Sequence, residues 1–171
     1  MKPTPEVLEH LANFLLMKPI SDHQEQLSLV AESLEERVYR AGAEIIHKGE
    51  KGDCAFLLVS GEVEVFDYTM DQEPFTRAIL TAEMHPLFGE VALVGGGERI
   101  ATVAARSECR CWILKKEAFT RLGDLHPEIG WRLLHQIAKL LAGHLEKTNR
   151  DVLRLFEALV LEVEQKTIIG R

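Results

Sequence analysis

The sequence is short of positive charge, of cysteine and of long apolar runs, and each shortage removes a class of function. Twenty lysines and arginines stand against 27 acids, a formal net charge of -7 over 171 residues. Such a surface offers no general attraction to a polyanion, so no nucleic-acid partner is expected and any bound anion must be held by local geometry. No run approaches the roughly eighteen apolar residues that span a bilayer, and MKPTPEVLEH lacks the apolar core of a secretory signal. No membrane insertion is therefore expected, and the cytoplasm is the expected location. The three cysteines are an odd set, and Cys109 and Cys111 in SECRCWIL fall on one face of a strand, where they read as buried reduced thiols. A metal site would need further ligands, and no Cys-x-x-Cys or paired histidines supply them. No histidine-acid cluster suits two-metal hydrolysis and no nucleophile stands beside a base, so neither catalysis nor a resident cofactor is expected.

What is present organises into three parts. At 46% hydrophobic, the chain can bury one core and carry an appended helix. PTPEVLEHLANFLL places Val7, Leu8, Leu11, Phe14 and Leu15 at the spacing of one helix face, with Pro5 in the first turn. SDHQEQLSLVAESLEERV repeats the pattern from Ser21 as a cap, with Leu27, Leu29, Val30 and Leu34 inward. These spacings predict two short helices over residues 1–36.

From Tyr39 to about Lys115 the period changes to two. Gly42, Gly49, Gly52 and Gly61 separate short β-prone runs, and Val63, Val65 and Tyr68 alternate with Glu62, Glu64 and Asp67 as a half-buried strand. DQEPFTRAILTAEM and IATVAARSECRCWIL continue the series. Many short strands at this spacing predict an antiparallel roll or barrel over residues 37–115.

Helical periodicity returns over residues 116–171. KKEAFTRLGDL is a short helix stopped near Gly123, and Pro127 opens another. Leu134, Ile137, Leu141, Leu145, Val152, Leu155, Leu159 and Val163 then recur on one stripe, with Gly143 as the place for a bend. A small roll cannot cover so long a stripe, so a homodimer along this helix is expected; a helix folded back over its own domain is the alternative.

The stretch FGEVALVGGGERIATVAA, Phe88–Ala105, sets the acid Glu90, three consecutive glycines, Gly95 to Gly97, and one arginine, Arg99, in a largely apolar run. A desolvated cyclic phosphodiester needs a fixed cation, and a planar guanidinium meets two of its oxygens with parallel hydrogen bonds. A ribose hydroxyl donates well to a carboxylate. Gly89 and the small Ala92 leave room for backbone to approach a sugar, N–H groups around Glu90 to Ala92 offer donors, and the glycine triplet offers permissive φ for a turn. A plain Glu90–Arg99 salt bridge in a loop is the competing reading. No lysine followed by Ser or Thr comes after the glycines, so this is not a Walker loop.

Phe88, Gly89, Glu90, Ala92, Leu93, Arg99, Ala101, Thr102 and Val103 match, without a gap, the phosphate-binding cassette of the cyclic-nucleotide-binding domain family, which this stretch closely resembles. LEERVYRAGAEIIHKGEKGDCAFLLVSGEVEVF resembles the opening strands of that family. The resemblance implies an α+β, mainly β, fold: a jelly-roll-like antiparallel double-stranded β-helix, flanked by N-terminal helices and a long C-terminal helix. It implies a cyclic-nucleotide sensor whose ligand site is Phe88, Gly89, Glu90, Val91, Ala92, Arg99, Ile100 and Ala101. Glu90 would take the ribose 2′-hydroxyl, Arg99 the cyclic phosphate, and N–H groups near Ala92 and Ile100 the remaining oxygens. Glu98 stands where the family usually has proline, although bacterial members resembling the catabolite activator protein carry Glu there. Ile100 has no hydroxyl where cGMP-preferring members have one, which favours cAMP over cGMP. Alignment with the bacterial branch puts Leu141, His144 and Leu145 at a lid over the base; His144 as a seam or solvent residue is the other reading. His135, Trp112 and Trp131 read as packing. The chain leaves no room after the long helix for the DNA-binding domain of that branch, so the expected output is an unidentified downstream protein or the dimer interface. A module that keeps the fold without binding nucleotide, and a pocket for another anionic metabolite, are the alternatives.

Overall fold

The computed structural model describes residues 1–95 and 97–169, with residues 163–169 as backbone alone. It divides into two compact units, Met1–Leu134 and His135–Arg171.

The first unit opens with α1, Pro5–Asn13, capped by the Thr4 hydroxyl on the Val7 N–H and with proline in its first turn. A 3-10 helix, Leu15–Ile20, and α2, Gln24–Glu32, follow. Ser21 does not cap α2: it closes the 3-10 helix through its own N–H to Lys18, and His23 is the residue before α2. The extra turn also moves Leu15 out of the helix face, leaving it 48% exposed. Leu34 is buried as expected, but as the first residue of a strand rather than the end of a helix.

Eight antiparallel strands make two four-stranded sheets. In one, β1 (Leu34–Tyr39), β8 (Cys109–Lys115), β3 (Cys54–Ser60) and β6 (Leu87–Phe88) are neighbours in that order. The other runs β2 (Glu44–Ile46), β7 (Thr102–Ala105), β4 (Glu62–Tyr68), β5 (Pro74–Thr81). Ile46, Val63 and Val103 of the second sheet meet Phe56, Leu58, Phe88, Cys111 and Ile113 of the first in one core. This is the mainly β roll with flanking helices that the sequence predicts. Burial pushes the Cys111 thiol up to about 12, with neighbouring Cys109 adding to it. Both are free thiols on one face. Tyr68, expected inward, is 47% exposed, because a register shift between Val65 and Phe66 breaks the alternation along β4.

The N-terminal helices meet the other side of the first sheet through rings. His10 and Phe14 lie 5.4 and 5.9 Å from Trp112, whose Nε1 donates to Glu36 at 2.9 Å. Trp112 is packing, as expected; Trp131 is 67% exposed. His85 stacks on His10 at 5.4 Å and holds a left-handed φ of 46° where it closes the 3-10 turn Ala82–Met84. Its Nδ1 lies 2.9 Å from the Ala82 carbonyl, which can only accept, so Nδ1 carries the proton. His10 Nε2 is buried without a hydrogen bond. Burial, then the neighbouring His85 and Arg110, hold the His10 pKa below its ordinary 6.5. The folded protein thus binds fewer protons here than the unfolded chain does. This contribution to stability is whole above pH 6.5 and is lost as pH falls below it toward the lowered folded value. Between about pH 7.5 and 5.5 the urea midpoint of the wild type should fall further than that of His10→Phe. Equal losses would show that His10 does not carry the pH dependence.

After β8 come α4, Lys116–Leu125, and α5, Pro127–Ile169. Helix α4 runs past Gly123, where it meets α5: a Cβ on Gly130 would stand 2.6 Å from the Gly123 Cα. Glycine at both positions lets the two backbones touch. Helix α5 continues unbroken through Gly143. In the second unit Leu145, Val152, Leu155 and Leu159 are 62%, 59%, 66% and 60% exposed. Val163 lies outside the described side chains. Among the described residues, no helix is long and apolar enough to cross a membrane.

Candidate functional site

Strand β6 delivers Phe88 and Gly89 to the edge of the core, and the chain turns there into a single helical turn, α3, Val91–Val94. Gly89 makes that turn with φ of 73°, and a Cβ on it would stand 2.8 Å from Nη1 of Arg99 and 3.1 Å from Ile46. Glycine is needed here twice over, for the left-handed backbone and for the approach of the guanidinium. Gly95, by contrast, has an ordinary φ of -93°. The left-handed residue of this stretch is thus Gly89 and not the triplet's Gly95 or Gly97, and Gly96 lies outside the described residues.

Glu90 precedes α3 and is 7% exposed, one of two buried polar residues of the described chain; the other is Thr102. Ala92 and Ala101 are buried too, Phe88 is in the core, and Val91 is half-buried. The Ala92 N–H donates to the Gly89 carbonyl at 3.2 Å. Ile100 is 64% exposed, so its side chain turns outward.

Arg99 is fixed at both backbone and side chain. Its N–H donates to the Glu50 carbonyl at 2.8 Å, its carbonyl accepts from Gly49 at 2.9 Å, and Gly52 donates to the Gly97 carbonyl at 3.3 Å. The turn at 49–52 thereby holds the loop that carries the arginine. None of these bonds uses the Glu98 N–H, although Glu98 bridges Lys51. The backbone at this position would therefore accept the family's usual proline without losing a ladder bond.

The guanidinium folds inward. Nη1 donates to the Gly89 carbonyl at 3.1 Å, Nη2 lies 3.5 Å from the Cys54 sulfur, and Cζ sits 5.8 Å from the centroid of the Phe56 ring. Phe56 is itself stacked on Phe88 at 5.2 Å. Gly52, buried, lies behind the arginine: a Cβ there would stand 2.7 Å from Nε. The sequence reading did not single out Gly52, Cys54 or Phe56 for the site. Glycine spacing in HKGEKGD was the available signal for the first; nothing local marked the other two.

A buried carboxyl and a partly buried, oriented guanidinium thus lie nine residues apart on the two arms of one loop, with small residues between them. Residues 36–126 match the family profile described as cyclic nucleotide-binding domain. The chain belongs to the cyclic nucleotide-binding domain family. It is 34% identical over 122 residues to cGMP-dependent protein kinase, isozyme 1, of Drosophila melanogaster, a match covering 69% of this chain and 16% of that one. It is 30% identical to a cAMP-dependent protein kinase regulatory subunit of Mucor circinelloides, over 66% of this chain and 25% of that one. The catabolite activator protein of Thermus thermophilus superposes with a TM-score of 0.69 at 28% identity, covering 77% of this chain and 59% of that one. The matched region is thus a quarter or less of either kinase relative.

The remaining sequence-predicted residues, Leu141, His144 and Leu145, belong to the second unit. Leu141 is half-buried and the other two are exposed on α5. Within the first unit a groove of about 470 Å³ runs between α3, α4 and the start of α5, lined by Leu93, Val94, Phe119 and Trp131 among others. It lies against the far end of α3 from Gly89.

Proposed function

We propose that this chain is a cyclic-nucleotide sensor, with cAMP as the preferred ligand and cGMP as the weaker one. The observation that carries this reading is the inward, oriented Arg99 guanidinium on the Gly89 carbonyl, one residue from buried Glu90. In the bound state the guanidinium, kept where it lies, presents its remaining N–H groups to the cyclic phosphate, the Glu90 carboxylate accepts from the ribose 2′-hydroxyl, and N–H groups near Ala92 and Ile100 complete the anion's shell. Phe88, Gly89, Val91 and Ala101 shape the cavity. Outward-facing Ile100 offers the ligand no hydroxyl, which supports cAMP over cGMP.

A ligand shifts only an equilibrium whose states it binds differently. Helix α3 carries the site's first turn and, with α4, lines the groove, so closing the loop on a phosphate moves the surface against which α4 rests. We assign the response to α4 and α5, which move together because they touch at Gly123 and Gly130. Leu141, His144 and Leu145 are the residues proposed to close over the base. The exposed Leu145, Val152, Leu155 and Leu159 stripe supports a homodimer through α5, and the output goes to a partner protein or to that interface.

Calorimetric titration with cAMP, cGMP and 5′-AMP tests this reading. Micromolar or tighter binding of cAMP, with cGMP weaker and 5′-AMP weaker still, is expected. No heat and no thermal shift with any of them would sink the sensor reading and leave a scaffold or a pocket for another anion. Sedimentation of the wild type against Leu155→Glu tests the dimer: the variant should be a monomer, and two identical profiles would count against an α5 interface.

A further inference from the structure

The Arg99 guanidinium is held from four directions, and three of them come from one turn and the strand that follows it. Gly52 backs Nε and Cζ, where a Cβ would stand 2.7 and 2.8 Å away. Phe56 presents its ring at 5.8 Å to Cζ, and Cys54 offers its sulfur at 3.5 Å to Nη2. The Gly89 carbonyl takes Nη1 from the fourth direction. Gly52 is not in the left-handed region, so its backbone does not demand glycine; the guanidinium against it does. Gly52 and Phe56 fix where the guanidinium lies, and Gly89 holds one nitrogen. The guanidinium is planar, so the Gly89 carbonyl on Nη1 and the sulfur on Nη2 together set that plane and oppose its flipping about the Nε–Cζ bond.

Cys54 differs from the other two cysteines, which are fully buried: it is half-buried as the first residue of β3. Burial, and after it a hydrogen bond with Asp53, push its pKa up against the lowering effect of Arg99, so at neutral pH it stands beside the arginine as a thiol whose sulfur accepts.

Resting on the reading that Arg99 takes the cyclic phosphate, we infer that Cys54 is a positioning residue of this site: its sulfur holds Nη2 and, with the Gly89 carbonyl on Nη1, keeps the guanidinium plane oriented before the ligand arrives. A donor oriented in advance spares the ligand the entropy of ordering it. Serine, with an oxygen acceptor in the same place, keeps this function; alanine does not.

The test begins without ligand. Nitrogen-15 spectra of the arginine side chains, with Arg99 assigned by its loss in Arg99→Lys, should show resolved, slowly exchanging Nη signals in the wild type and in Cys54→Ser, and averaged signals in Cys54→Ala. Titration with cAMP should then give Cys54→Ser within about twofold of the wild type and Cys54→Ala about fivefold weaker, at unchanged thermal midpoints. A merely structural role for Cys54 would move the midpoint and leave the spectra alone. Averaged Arg99 signals in the wild type, or a Cys54→Ala protein that keeps both spectrum and affinity, would overturn the inference. A wild type with a held Arg99 and no affinity for cAMP would support the positioning role and overturn the nucleotide reading.

Discussion

Gly61→Ala is expected to lower the stability of the first unit by at least about 2 kcal/mol, the largest loss from any single methyl addition in the roll. Gly61 joins β3 to β4 with φ of 92°, a region that costs an L residue about 1–2 kcal/mol. A Cβ there would also stand 2.3 Å from the Glu108 carbonyl oxygen and 2.8 Å from the Cys109 sulfur. Neither neighbour can move away easily: Glu108 leads into β8, and Cys109 is fully buried in the core. Gly42 separates the two effects. Its φ of 82° carries the same backbone strain, but a Cβ on it would meet nothing within 4 Å. Urea denaturation should therefore rank Gly61→Ala well below Gly42→Ala, which should cost about 1 kcal/mol. Equal midpoints for the two variants would mean that the β3–β4 connection relaxes and that strain alone matters.

The same comparison shows where the sequence was legible. Glycine spacing and period-two alternation marked the roll because turns and half-buried strands impose local patterns. The helix-to-strand boundary did not read correctly, because LEERVY extends the apolar spacing of α2; its pairing with β8, from Leu34 opposite Leu114 to Tyr39 opposite Cys109, makes it a strand. A long-range partner overrode a local pattern. The N-terminal rings illustrate the same limit: nothing near His10 in the sequence names His85 or Trp112 as its neighbours. At the site, Glu90 and Arg99 were legible because one loop carries both. The residues that hold the guanidinium were not, since Gly52, Cys54 and Phe56 precede it by more than forty positions and reach it only through the turn at 49–52. Three consecutive glycines draw the eye to the triplet as the permissive turn. The sharper demand lies at Gly89, where the carbonyl must turn toward Arg99 and the Cα must leave it room.

Arg99→Ala is the variant expected to change binding most. It removes the cation proposed for the phosphate, and a charged hydrogen-bonding partner lost from a partly buried site costs at least about 2 kcal/mol, or roughly thirtyfold in affinity for cAMP. Stability should change much less, because the Gly89 carbonyl keeps its bond from the Ala92 N–H and the Phe56 ring keeps its stack on Phe88. Arg99→Lys restores the charge without the two-pronged donor, and so should recover only part of the loss. Glu90 provides the independent check. If its carboxylate takes the ribose hydroxyl, 2′-deoxy-cAMP should bind the wild type weakly, and Glu90→Gln should weaken cAMP more than it weakens the deoxy ligand. In Arg99→Ala the penalty for removing the hydroxyl should persist at nearly its full size, since phosphate and ribose contacts made by different side chains add when they are not coupled. A penalty that vanishes in Arg99→Ala would mean that carboxyl and guanidinium act as one bonded pair, the plain salt bridge that the spacing of the two residues also allowed. An Arg99→Ala protein that binds cAMP as the wild type does would remove Arg99 from the phosphate altogether, and the reading of the site with it.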